Sequence, residues 1–286
     1  MPIFKRQGVN IHYDIVGDTG DWIVLTPGGR NPMEDVRFLA DALSKEGYRV
    51  LIHDRRNCGK SDVSIVSGIS EQEMWAEDVY ALLDALDAFP VIAGGVSAGC
   101  RLSLLLATRY PDQVKGLLVW WVTGGRYAAD FLGEQYYGQF KTAAEVGGMA
   151  AVCETEFFAE RIQENPGNRD ILMNLEVGYF TSVMQEWRDY FDAGADLPVI
   201  GATEEELRAI KVPTCIIPGS DDVHPRAVAV KLQTLIGDSQ LCNTFDKADL
   251  PRIKKLPLDE IMVEARQRFV FHFVNFVRQQ QAAGHW

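Results

Sequence analysis

The sequence predicts an α/β protein built on a mostly parallel, doubly wound sheet that carries a helical insertion. Three observations support this. Short apolar runs alternate with helical periodicities over residues 9–123. After the first, those runs are continuously apolar rather than alternating, which suits strands covered on both faces. The rhythm stops between about 125 and 206 and resumes to the C-terminus. Short strand-helix-strand connections then favour a doubly wound sheet.

In order along the chain, "VNIHYDIV" (9–16) alternates and ends in a Gly/Asp turn, so it reads as a strand, and "DWIVLTPGG" (21–29) is a short buried strand running into glycines. "DVRFLADALSKEG" (35–47) is an amphipathic helix closed by Gly47, and "YRVLIHD" (48–54) is a strand. Ser70 and Glu73 have capping-box spacing, ahead of a helical stripe of Trp75, Val79, Leu82, Leu83 and Leu86. "PVIAGGV" (90–96) is a strand, "AGCRLSLLLATRY" (98–110) a helix stopped by Pro111, and "VKGLLVWWVT" (114–123) a further buried strand. After the insertion, "LRAIKVPTCIIPGSDD" (207–222) contains a strand entering an acidic turn. A helix (226–237), a strand (240–245) and a long final helix (258 to about 280) follow. The expected division is a core of residues 1–124 and 207–286 with a helical lid over 125–206.

The chain has 286 residues, 47% hydrophobic and 24% charged, enough to bury a core without staples. Its net charge of −12 argues against nucleic acid and anionic membrane surfaces as partners. No apolar run is long enough for a transmembrane helix, and residues 1–7 carry no apolar signal core. The five cysteines are scattered, with no CxxC pair and no zinc spacing, which suits a reduced cytoplasmic setting. No phosphate-binding or dinucleotide-binding glycine motif is present, so no cofactor or metal is expected. A homodimer is compatible with the sequence but not specified by it.

Gly95-Val96-Ser97-Ala98-Gly99 lies between a buried strand and a helix. That setting is what a nucleophile elbow requires: a sharp turn that holds a serine hydroxyl out at the C-terminal edge of the sheet. The N–H of Ala98, at the helix N-terminus, would then face a developing oxyanion. "TPGG" (26–29) follows the earlier strand, and there Gly28 and Gly29 let backbone approach a substrate. The N–H of Gly29 or Arg30 is the expected second donor.

The chain thus resembles the α/β-hydrolase superfamily over nearly its whole length, through "TPGGR" (26–30), "HDRRNCGKSD" (53–62), "GGVSAG" (94–99) and the 207–222 segment. The resemblance implies Ser97 as nucleophile, the insertion as the family's cap, and an acid after the seventh core strand, with Asp222 the best match and Asp221 the fallback. It also implies a histidine in the loop after the last strand. That loop, "FDKADLPRIKKLP" (245–257), contains none. His12, in a strand, and His285, in the terminal tail, are poor candidates for the base. His53 ends a strand on the correct edge, and His272 lies mid-helix among phenylalanines. His224, in "DDVHP", sits two residues past Asp222 at the rim where the site belongs, and is the candidate of choice.

The insertion carries twelve aromatics from Tyr127 to Phe191. With Trp120 and Trp121 they predict an apolar pocket, about a third of them lining it and the rest packing the lid. Arg30, Arg55 and Arg56 lie on loops at the same edge, where one would bind a substrate oxygen or, alternatively, pair with an acid. Three functions fit these residues. One is hydrolysis of an ester, lactone or related acyl bond of a small apolar molecule through Ser97, Asp222 and His224. The second is lyase or carbon–carbon cleavage without acylation of the serine. The third is ligand capture by an inactive relative.

Overall fold

A computed structural model describes residues 2–286. Its eight strands are β1 (Ile3–Arg6), β2 (Val9–Val16), β3 (Trp22–Thr26), β4 (Arg49–His53), β5 (Val91–Val96), β6 (Val114–Trp120), β7 (Thr214–Ile217) and β8 (Ser239–Leu241). They form one sheet of order β1-β2-β4-β3-β5-β6-β7-β8. From β4 to β8 all pairs are parallel, whereas β2 runs antiparallel to β4 and β1 antiparallel to β2. Strands β3, β4, β5 and β7 are buried throughout, apart from half-buried residues at the start of β4 and the end of β5. This is why they read as unbroken apolar runs. β1 has no such signature: it is four residues long, half exposed, and recruited as a hairpin edge by β2.

The helices are α1 (Arg37–Ser44), α2 (Glu71–Ala85), α3 (Ala98–Arg109), α4 (Arg126–Gly133), α5 (Gln139–Cys153), α6 (Glu156–Glu164), α7 (Gly167–Met173), α8 (Val177–Gly194), α9 (Glu204–Ala209), α10 (Arg226–Leu235), α11 (Leu250–Ile253) and α12 (Leu258–Ala282). The Ser70 box is present, with the Ser70 side chain accepting from Glu73 N–H and the Glu73 carboxylate accepting from Ser70 N–H. One sheet face is covered by Trp75, Leu82, Leu105 and Leu232, the other by Leu39, Leu43, Phe269 and Phe273. That is the two-sided cover a parallel sheet needs.

Between β6 and β7 the chain forms α4 to α9, and α4 to α8, with a π-helical turn at Glu134–Gly138, make a layer of their own. Their core is a separate aromatic cluster of Phe140, Phe158, Phe180, Trp187 and Phe191. The chain rejoins the sheet's own core at Val199 and Ala202, some residues before position 207. The layer is tied down by directed bonds as well as by packing. The Arg161 guanidinium donates to the Gly59 carbonyl (2.8 Å), Trp187 Nε1 to the Ile69 carbonyl (2.9 Å), and the Val63 N–H to Asn168 Oδ1 (2.9 Å).

At the end of β5 the chain turns through Ser97 with φ 54° and ψ −111°, a conformation that costs about 1–3 kcal/mol for a residue with a side chain. The two glycines around it have contact reasons. A Cβ on Gly95 would stand 2.3 Å from the Gly99 carbonyl carbon, and one on Gly99 would stand 2.1 Å from the Thr26 carbonyl oxygen. Backbone cannot yield as a flexible side chain can. Gly99→Ala is therefore expected to destabilise the fold by more than about 2 kcal/mol. Gly178→Ala, where no atom lies within 4 Å, should be neutral or stabilising by up to about 1 kcal/mol. Urea unfolding of the two variants checks the contrast.

Candidate active site

The strained turn brings Ser97 to the C-terminal edge of the sheet. There its Oγ lies 2.9 Å from His224 Nε2 and 3.2 Å from Thr123 Oγ1. His224 Nδ1 lies 2.9 Å from Asp221 Oδ1 and 3.0 Å from Oδ2. A carboxylate only accepts, so Nδ1 carries the proton and Nε2 presents its lone pair to the serine hydroxyl. This arrangement can take a proton from Ser97.

Acid and imidazole share one short loop between β7 and α10. Asp221 Oδ1 also accepts the backbone N–H groups of Val223 (2.9 Å) and His224 (2.8 Å), closing an Asx turn that aims the ring. Burial pushes the Asp221 carboxyl up, but hydrogen bonds from the His224 ring and from the backbone N–H groups of His224 and Val223 outweigh it, so it sits below its ordinary range. The loop folds back tightly: a Cβ on Gly219 would meet His224 Cβ at 2.4 Å. Pro225 then caps α10.

The carboxylate that meets the imidazole is thus Asp221, and Asp222 makes no such bond. The preference for Asp222 counted residues from Gly219. What decides is the Asx geometry, in which an aspartate engages N–H groups two and three residues ahead, and a histidine at the third is carried onto the same carboxylate. That spacing was readable in "DDVH". Thr123 was missed because nothing local separates a buried threonine that follows a strand from any other core threonine.

Three of the other histidines are engaged elsewhere, and His12 lies on β2 with its Nδ1 buried and unpartnered. His53 is buried with Nε2 3.0 Å from Thr26 Oγ1. Burial, and secondarily the Arg55 charge, push it down to about 3. His272 Nε2 donates to the Asn243 carbonyl, and His285 Nδ1 lies 2.6 Å from Gln280 Oε1. The 245–257 segment, where the resemblance places a histidine, instead forms a turn and α11.

The loop after β3 runs past the serine: a Cβ on Gly28 would stand 3.4 Å from Ser97 Cβ. Arg55 Nη2 anchors this loop by donating to the carbonyls of Gly28 (3.2 Å) and Gly29 (2.9 Å), while its guanidinium lies 4.4 Å from the Trp75 ring centroid. Arg56 is consumed by a buried ion pair with Asp78. Arg30 does not face the serine. It pairs with the fully buried Glu71 (2.8 Å) and borders a different cavity, of about 420 Å³, with Phe157 and Glu160. The ion-pair alternative is the one the structure realises, because a guanidinium so placed needs a carboxylate more than a ligand.

The cavity above Ser97 measures about 510 Å³, within the usual range for small-molecule sites. Gly28, Gly29, His224 and Trp121 line it, whereas Arg30 and Ala98 do not. Trp121 adopts φ 55°, which turns the chain after β6, and its indole lies 5.9 Å from the His224 ring. Of the twelve aromatics named in the insertion, only Phe131 and Tyr136 reach this cavity. The expected third was too many, because the insertion's own core consumes the rest. Tyr136 comes from the π-helical turn, and its hydroxyl would stand 3.4 Å from a Cβ on Gly29.

Sheet order, strained serine turn and helical layer together define the α/β-hydrolase fold. A model of that fold matches residues 21–148. The chain is 25% identical over 288 residues to 3-oxoadipate enol-lactonase 1 of Acinetobacter baylyi, covering 98% of this chain and 97% of the relative. It is 31% identical over 107 residues to an uncharacterised hydrolase of Bacillus subtilis, a match spanning 37% of this chain and 39% of that one. The enol-lactonase of Burkholderia xenovorans LB400 superposes with TM-score 0.61 at 22% identity, covering 97% of this chain and 100% of its own, a likeness of fold. These relatives are named as lactonases or hydrolases.

The buried neutral His53 predicts an acid liability. Its folded value of about 3 lies below its ordinary 6.5. Below pH 6.5 the unfolded chain binds a proton the folded one refuses, so stability falls as pH falls, by up to about 1.4 kcal/mol per pH unit between 6.5 and 3. Urea unfolding at stepped pH is expected to show His53→Gln losing stability less steeply than wild type across that window.

Proposed function

We propose that the protein hydrolyses an ester, lactone or related acyl bond of a small apolar molecule, with Ser97 as nucleophile. The observation that carries this reading is the single line of contacts from Asp221 through His224 to Ser97 Oγ. A serine hydroxyl is a poor nucleophile until a neighbour takes its proton. His224 Nε2 takes it as Ser97 attacks the acyl carbon. Asp221 holds the Nδ1 proton and stabilises the imidazolium. The Ala98 and Gly29 N–H groups receive the oxyanion. His224 then returns the proton to the leaving oxygen, and water repeats the sequence on the acyl-enzyme. The lid supplies the apolar walls, with Phe131, Leu132 and Trp121 around the serine. Lyase chemistry and passive capture were attractive only while no base was at hand. His224 supplies one, so neither is needed to account for the site.

The acid is the unusual member. The Asp221 side chain is 58% exposed, against 14% for His224, and water competes for an exposed carboxylate. With a p-nitrophenyl ester of short acyl chain, Ser97→Ala is expected to abolish turnover and labelling by a fluorophosphonate probe. His224→Ala should lose about 10²–10⁴-fold in kcat. Asp221→Asn should lose less, about tenfold to a hundredfold, and Asp222→Asn under about twofold. Full activity in His224→Ala, or an Asp222 effect larger than that of Asp221, overturns the assignment.

Tyr136 fits this scheme as a positioning residue. Burial pushes its phenol up despite the nearby charges of Arg101 and Arg30, so it stays protonated and able to donate. Beside Gly29 it is placed to hold a substrate carbonyl against the loop. Tyr136→Phe is expected to lower kcat/KM by about threefold to tenfold, the worth of one hydrogen bond, with Ser97 labelling still present. Unchanged kinetics would remove Tyr136 from the site.

A further inference from the structure

Away from the Ser97 cavity, two cysteines and a histidine meet under the C-terminal helix. β7 and β8 are parallel with Cys215 opposite Gln240, so Cys215, Gln240 and Cys242 share one face of the sheet. Cys242 continues the pairing just past β8, its N–H donating to the Ile216 carbonyl (2.8 Å). The two sulfurs lie 3.7 Å apart, the Cys215 thiol donating to Cys242. Gln240 Nε2 approaches Cys215 Sγ at 4.0 Å. Cys215 is fully buried and Cys242 only partly so.

His272, on α12, closes the cluster. Its Nε2 meets the Asn243 carbonyl at 2.8 Å. A carbonyl only accepts, so Nε2 carries the proton and Nδ1 is left basic, on a ring bound to the residue next to Cys242 and interacting with its thiol. Arg268, one turn earlier, is the nearby cation.

We propose that Cys242, assisted by His272 and resolved by Cys215, is a hydroperoxide-reactive thiol that closes to a disulfide with Cys215. In the first step His272 Nδ1 takes the Cys242 proton, and the thiolate attacks the distal peroxide oxygen. The O–O bond breaks, and the alkoxide or hydroxide leaves with the proton from His272. Cys242 is then a sulfenic acid. In the second step the Cys215 thiol attacks the Cys242 sulfur, the S–O bond breaks, and water departs with the Cys215 proton. Two thiols are oxidised by two electrons, and the peroxide is reduced to alcohol and water. The sulfurs must close from 3.7 Å to roughly 2 Å, along a contact that already exists.

The other thiols differ in setting. Burial pushes Cys58 up and Cys100 up to about 12, and Cys153 is raised by the same cause. Cys242 is held down, by the hydrogen bond from Cys215 first and by His272 after it. Thiolate character together with access selects which cysteine oxidises.

The experiment treats the full-length protein with a small excess of hydrogen peroxide and follows thiol content, with peptide mapping. The expected result is loss of two of the five thiols, a Cys215–Cys242 linked peptide, and recovery with dithiothreitol. Cys215→Ala should stop at a Cys242 sulfenic acid captured by dimedone. Cys242→Ser should leave Cys215 reduced. His272→Gln, which retains a donor for the Asn243 carbonyl, should slow the reaction about tenfold. The proposal is overturned if wild type keeps all five thiols, if Cys153 oxidises as fast as Cys242, or if no linked peptide forms. The wild-type map decides even where a variant fails to fold.

Discussion

The site rests on one backbone-to-backbone approach. Gly99, at the start of α3, lies so close to the Thr26 and Pro27 carbonyls that no Cβ fits, and Gly95 lies as close to Gly99. That approach presses helix, β5 and the loop after β3 together. It is also what holds Ser97 in a conformation that would relax in a free peptide. Strain of this size persists only when the surroundings over-determine it. Here they comprise the paired ends of β3, β5 and β6 and the Ser97 N–H bonded to the Trp120 carbonyl at 3.1 Å.

A second constraint joins the helical layer to that edge. Glu71, fully buried, accepts from Arg30 (2.8 Å), Tyr137 (3.0 Å) and Asn57 (2.8 Å). These partners come from the loop after β3, from the layer, and from the turn after β4. One carboxylate therefore holds three segments in register. Arg56 likewise pairs with a buried acid, Asp78, whereas Arg55 rests on Trp75 and the glycine loop, and Arg101 on Phe191 at 4.8 Å. Such contacts are weaker than a buried ion pair but carry no second desolvated charge. The underside of the helical layer is thus cationic and aromatic, with Glu71 already committed.

Carrying acid and base on one loop has a physical consequence. In the proposed triad the Asp221–His224 geometry is set locally, by an Asx turn and by Gly219, and does not await the meeting of two distant loops. Only the Ser97 contact is long-range, its partners 127 positions apart in sequence. The cost is exposure of the acid, because a carboxylate that serves a surface turn cannot also be buried. The loop after β8, relieved of supplying a histidine, forms α11 instead, and the last strand and helix are free to hold the Cys215–Cys242–His272 cluster.

Much of this was written in local chemistry. Two-sided burial gives parallel strands their unbroken apolar runs, so the core from β2 to β7 could be read in order. The glycines around Ser97 announce the turn because only they tolerate the contacts. The capping box of α2 is likewise a local signal, since its bonds close within one helical turn. What only the tertiary structure decided are matters of long-range meeting: which histidine reaches Ser97, that Thr123 stands beside it, that Arg30 spends its charge on Glu71, and that two of the insertion's twelve aromatics face the cavity. Local periodicity reports which face of a segment is buried, but not against what. Partners far apart in sequence are chosen by how the layers close over one another.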